Sequence, residues 1–163
     1  MTGMDLCDAI AAVVSELWPE RIIYRDFCPV DHRRPSSYLY VSESSMEPAN
    51  LCLVEWTVEA RLELFCATDE YDLSSTEALR RDQEQVLLAF AAPSLKVGGR
   101  WVTLAAQGDG MDMGSAFVNF SATWFDDRPS YTAPEETAPL MEHAEVSGTI
   151  PAGGMPDIKT RGE

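Results

Sequence analysis

Residues 52–66 alternate almost without a break. The even positions are Cys52, Val54, Trp56, Val58, Ala60, Leu62, Leu64 and Cys66, and the odd positions from 55 to 63 are Glu55, Thr57, Glu59, Arg61 and Glu63. Period-two alternation means a strand with one buried face and one wet face. At about 3.3 Å per residue such a strand runs roughly 50 Å, beyond the usual strand of about 3–10 residues. It therefore bends at a bulge, or its ends project beyond the domain and pair with something else. The apolar side needs a cover, and the rest of the chain supplies two amphipathic helices.

The first helix is expected over residues 4–17, where Leu6, Ile10, Val13, Val14 and Leu17 share one face. Thr2 with Asp5 makes a capping box, and Pro19 stops the helix. The second is expected over residues 74–92, with Ser74 and Glu77 as its capping box. Its apolar stripe is Leu79, Val86, Ala89 and Phe90, its wet side is Arg80, Arg81, Asp82, Glu84 and Gln85, and Pro93 ends it. Short strands are expected over residues 21–27 and 37–43, separated by a polar loop with Pro29 and Pro35. In the second of these strands Tyr38, Tyr40 and Ser42 oppose Leu39 and Val41. Gly98-Gly99 between residues 95–97 and 100–102 is a hairpin turn signal. A glycine-containing loop, residues 107–114, leads to a last strand over 116–125.

This order predicts an α+β domain over residues 1–127: a mostly antiparallel sheet with two helices packed on one face. Glu55, Glu59, Arg61 and Glu63 lie on the opposite face, as a solvated surface, a subunit interface or the wall of a pore. Residues 128–163 read as an extended C-terminal arm. From residue 129 onward they hold five of the ten prolines together with Gly148, Gly153, Gly154 and Gly162, a composition too poor in apolar groups to fold alone.

The charge balance narrows the function. Twenty-seven acidic residues against twelve Lys and Arg give a net charge of −15, which argues against a free-standing nucleic-acid binder. No apolar run approaches the roughly 18–20 residues of a spanning helix, so no membrane partner is expected. The opening residues, with Asp5 and Asp8 and no basic segment, do not read as a secretory signal. Cys7, Cys28, Cys52 and Cys66 lack C-x-x-C spacing and read as small buried hydrophobes of a reducing cytoplasm.

Chemistry-bearing groups are few, and no catalytic residue, cofactor or metal is expected. Cys28, Asp31 and His32 crowd into five positions but lack the second ligand pair of a metal site. His143 sits among Glu142 and Glu145 in the arm. Asp109 and Asp112 in the glycine loop lack the ligand spacing of a calcium loop. No nucleophile elbow occurs. Trp56, Trp101 and Trp124 read as core or interface aromatics.

Over residues 4–127 the layout resembles the bacteriophage tail terminator family. The features carrying the likeness are an amphipathic helix ending in ELWPE, a strand RIIYRDF, a Pro-containing loop before SYLYV, and the long strand VEWTVEARLELFCA. They continue with a loop containing Tyr71, the helix EALRRDQEQVLLAF, the hairpin KVGGRW and the closing strand VNFSATWF. The resemblance implies a virion protein of the tail or neck, assembled in the bacterial host cytoplasm. It implies a ring, typically six-fold, that caps the growing tail tube and stops its polymerisation. Its partners would be its own copies, the tail tube and sheath proteins, the head connector or stopper, and genomic DNA passing through without specific binding. The rivals are a head–tail stopper or other tube or baseplate component, and, from another class, a small acidic enzyme or regulator using the Cys28/His32 loop.

Overall fold

A computed structural model describes residues 1–129 apart from Asp72 and Met113. By their contacts, the described residues form one compact unit. The arm predicted for residues 128–163, and His143 within it, lie from residue 130 on outside the described residues. Arg128 still belongs to the domain, donating its backbone N–H to the Cys52 carbonyl at 2.7 Å.

The elements in chain order are α1 (Gly3–Leu17), β1 (Ile22–Arg25), β2 (Ser36–Pro48), β3 (Leu53–Phe65), α2 (Thr76–Ala89), β4 (Ser94–Val97), β5 (Arg100–Gly108) and β6 (Ala116–Asp127). The six strands form one sheet in the order β1-β2-β3-β6-β5-β4. Only β1 and β2 run parallel, and every other pair is antiparallel. The fold is the expected α+β sheet, here curled. The helix α1 packs on β2, β3 and β4, and α2 on β3, β5, β6 and α1. Among the described residues no helix is long and apolar enough to cross a membrane.

The core forms where both helices meet the even side of β3. Val58, Ala60, Leu62 and Leu64 are buried there with Leu6, Ile10 and Val14 of α1, Leu79 and Val86 of α2, and Val118, Phe120 and Ala122 of β6. The Phe90 ring meets Phe120 edge-on at 4.8 Å, a geometry aromatic pairs favour. Thr2 and Asp5 cap α1 reciprocally, as the sequence predicts. Gly98 and Gly99 take φ of +55° and +91° in the β4–β5 turn, conformations an L side chain resists.

Several local expectations are corrected. The cap of α2 is Ser75, whose hydroxyl accepts from the Ala78 N–H. Ser74 instead receives a bond from Arg34 at 2.9 Å. Asp82, read as a wet-side residue, is 7 % exposed and pairs with Arg21 at 2.6 Å. Trp124 is buried, but Trp101 is 72 % exposed. The strand β5 runs through Gly108 into what reads as a loop. The bulge falls in β2, between Val41 and Glu43, rather than in β3. The far end of β3 is paired within the chain on both sides, Val54 with Pro48 of β2 and with Asp126 of β6.

Candidate functional site: an acidic sheet face

The helix-free face of the sheet gathers the odd side of β3 and its neighbours. All four residues predicted for it, Glu55, Glu59, Arg61 and Glu63, lie there, because successive strand side chains alternate faces. The bulge at Ser42 adds two more. One extra residue shifts every later side chain of β2 to the other face. Glu43 thereby comes opposite Glu59, and Glu47 opposite Glu55. Two glutamate pairs face each other directly across neighbouring strands, an arrangement that opposes folding. Glu43, Glu47, Glu55, Glu59 and Glu63 form no ion pair among the described residues.

Arg61 does not neutralise this row. Its guanidinium turns to Asp109 at 3.0 Å and lies over the Phe117 ring at 4.2 Å. Asp109 in turn accepts from the Gly110 N–H and the Asn119 amide, and those bonds, with Arg61, hold its carboxyl below the usual carboxylate range. The Asp109 loop is thus an anchor for β3 and β6. Gln83 of α2 fastens it from behind, donating to the Asp109 carbonyl at 2.9 Å and the Phe117 carbonyl at 2.7 Å.

The upper end of the same face is aromatic. Tyr38 and Tyr40 stack at 4.7 Å beside Glu63 and Arg61. Burial first, then the neighbouring Tyr40, Cys28, Asp26 and Glu63, pushes the Tyr38 phenol up. The loop before Pro35 folds over this end, with the His32 ring 4.0 Å from that of Phe65 and edge-on to Tyr24. His32 Nδ1 sits 3.2 Å from the Pro29 carbonyl. Burial and the nearby Glu63 push the Cys28 thiol up, against Arg34, which disfavours a nucleophilic thiolate. Cys28, Asp31 and His32 form no group able to hold a metal, nor does any other set among the described residues. All four cysteines are free thiols.

Two features escape the sequence reading. Beyond Val41 every residue of β2 is exposed, and past Leu39 β2 has no strand on its outer side, so this half of it is an open sheet edge. At its tip the Asn50 carboxamide oxygen accepts from the Cys52 and Leu53 N–H groups, both at 2.8 Å, and this ordered turn holds Leu51 out 81 % exposed. At the other end of β2 a cavity of about 410 Å³ is walled by Leu17, Trp18, Pro19 and Pro35, with three arginines about it. ELWPE and the Arg33-Arg34 pair are legible separately, but nothing in their spacing brings them together. Comparison with protein-family models and with curated sequences gives no match.

Proposed function

We propose that this chain is the subunit of a phage tail-terminator ring, with its acidic sheet face turned to the channel. The observation that carries the reading is the row of unpaired glutamates kept on a helix-free face, including two pairs set directly opposite each other. A solitary domain gains nothing from such pairs, since like charges across a strand pair weaken the sheet. A channel wall does gain: a surface of one sign repels phosphate, so DNA slides past without sticking. The resemblance to tail terminators in element order supports the same reading, as does the unpaired outer edge of β2 beyond Leu39, which a neighbouring copy could cover. In this account the protein acts by assembly. It caps the tube, ends its growth and offers the connector a surface.

Electron microscopy of a lysate from phage lacking the gene tests this. Headless tails of uncontrolled length beside filled, tailless heads are expected. Tails of normal length that fail to join heads would move the role to a head–tail stopper, and normal infectious particles would overturn a structural role.

A further inference from the structure

Resting on the ring reading, we infer that neighbouring copies join head to tail, with Leu51 of one copy seated in the Trp18 cavity of the next and Glu47, at the rim of the acidic face, meeting Arg33. The two surfaces match in kind. Leu51 is an apolar side chain presented on a turn fixed by four backbone hydrogen bonds: two to the Asn50 side chain and two more from Ala49 and Asn50 to the Leu53 carbonyl at 3.2 Å. Glu47 is the penultimate residue of β2 before it and has no ion pair among the described residues. A rigid, exposed leucine beside a carboxylate is a knob already ordered for a partner, so little conformational entropy is lost when it binds.

The cavity supplies the complement. Its walls, Leu17, Trp18, Pro19 and Pro35, are apolar, and its about 410 Å³ falls within the roughly 300–1,000 Å³ of ligand clefts. Arg21 is held over Trp18 at 4.0 Å and is neutralised by Asp82, so it braces the wall. Arg33 and Arg34 make no ion pair among the described residues, and Glu20 is the one acid of the lining. The Arg34 guanidinium already donates to Ser74 and the Gly114 carbonyl, so Arg33 is the cation of this lining with neither an ion pair nor a side-chain hydrogen bond among the described residues. The charge complement of that hole is an acidic segment with an apolar tip, and the chain carries one.

Position makes the occupant a second copy. Pro35 of the cavity precedes β2 and the Leu51 turn follows it, so the two surfaces stand at opposite ends of a 13-residue strand, about 40 Å apart. One copy cannot fill its own cavity with its own tip. Contact between unlike patches on identical chains is heterologous, and it closes into a ring where the rotation per subunit allows.

Native mass spectrometry and sedimentation of the full-length chain test the contact. Leu51→Asp, Arg33→Glu and Glu47→Lys should each raise the subunit dissociation constant at least about tenfold. Leu51→Asp and Arg33→Glu should leave circular dichroism and the melting midpoint of the monomer unchanged, since both side chains are on the surface, and Glu47→Lys, which replaces a like-charge pair with Glu55 by an opposite-charge one, should leave the fold intact and raise the midpoint slightly. The double variant Arg33→Glu/Glu47→Lys should recover assembly, because every contact then carries the pair reversed. Rings that form as in wild type with Leu51→Asp and Arg33→Glu would overturn this contact and leave the ring reading standing. A wild type that stays monomeric at all concentrations would remove both. Loss of virion incorporation in Arg33→Glu with rings intact would assign the cavity to another acidic protein and overturn the inference.

Discussion

Asp126 shows how much one side chain ties together. Its carboxylate accepts from Arg100, from the Trp124 indole N–H at 2.9 Å and from the terminal ammonium of Met1 at 3.5 Å. The start of the chain, the start of β5 and the end of β6 therefore meet on one acid. Burial works against its ionisation, but the bonds from Arg100 and Trp124 with the two nearby cations outweigh it and hold the carboxyl below its ordinary value. A depressed folded pKa means stability that is fully present above the unfolded value of about 3.9 and is lost as pH falls through the lower folded value. Asp126→Asn should abolish that part of the acid loss. Urea midpoints of wild type and variant should differ most at neutral pH and converge below about pH 3. Profiles that stay parallel down to pH 2.5 would show that the carboxylate carries no linked stability.

At the scale of the element, the decisive feature is the one-residue bulge of β2. It sets Glu43 against Glu59 and Glu47 against Glu55. Glu59→Gln relieves one such pair and should stabilise the isolated monomer by roughly 0.2–1 kcal/mol. Wild type should also gain stability between 10 and 150 mM salt, as the screening length shortens from about 30 to about 8 Å. A Glu59→Gln monomer less stable than wild type in urea would mean that the glutamates serve the fold itself. The same bulge explains what the sequence hides. In β3 each apolar or charged residue reports its own face, so Glu55, Glu59, Arg61 and Glu63 are legible at once. Past Ser42 the run SESSMEP has no buried side to report, and a slip of one residue reverses every later face without changing composition. Glu43 and Glu47 are therefore missed. Asp82 is misread for a different reason: its partner Arg21 lies 61 residues away, and periodicity along α2 carries no trace of it.

At the scale of the whole molecule, the helices and the apolar core occupy one side of the sheet and leave the other to a row of unpaired acids with stacked tyrosines at one end. One end of β2 carries an apolar cavity edged by arginine, and the other a leucine on a fixed turn. A surface of one sign, with complementary ends, suits a subunit whose function emerges only when copies close around something of like charge. The fold class and the acidic row follow from local periodicity. The open edge of β2 and the cavity depend on how residues distant in sequence come together, and periodicity is silent there. If this face lines a channel, cryo-electron microscopy of the assembled ring will show β3 and β6 turned to the axis, with Glu55 and Glu59 of every subunit projecting into the lumen and the helices outside. A ring whose lumen is lined by α1 and α2, with Glu55 and Glu59 turned outward, would contradict it.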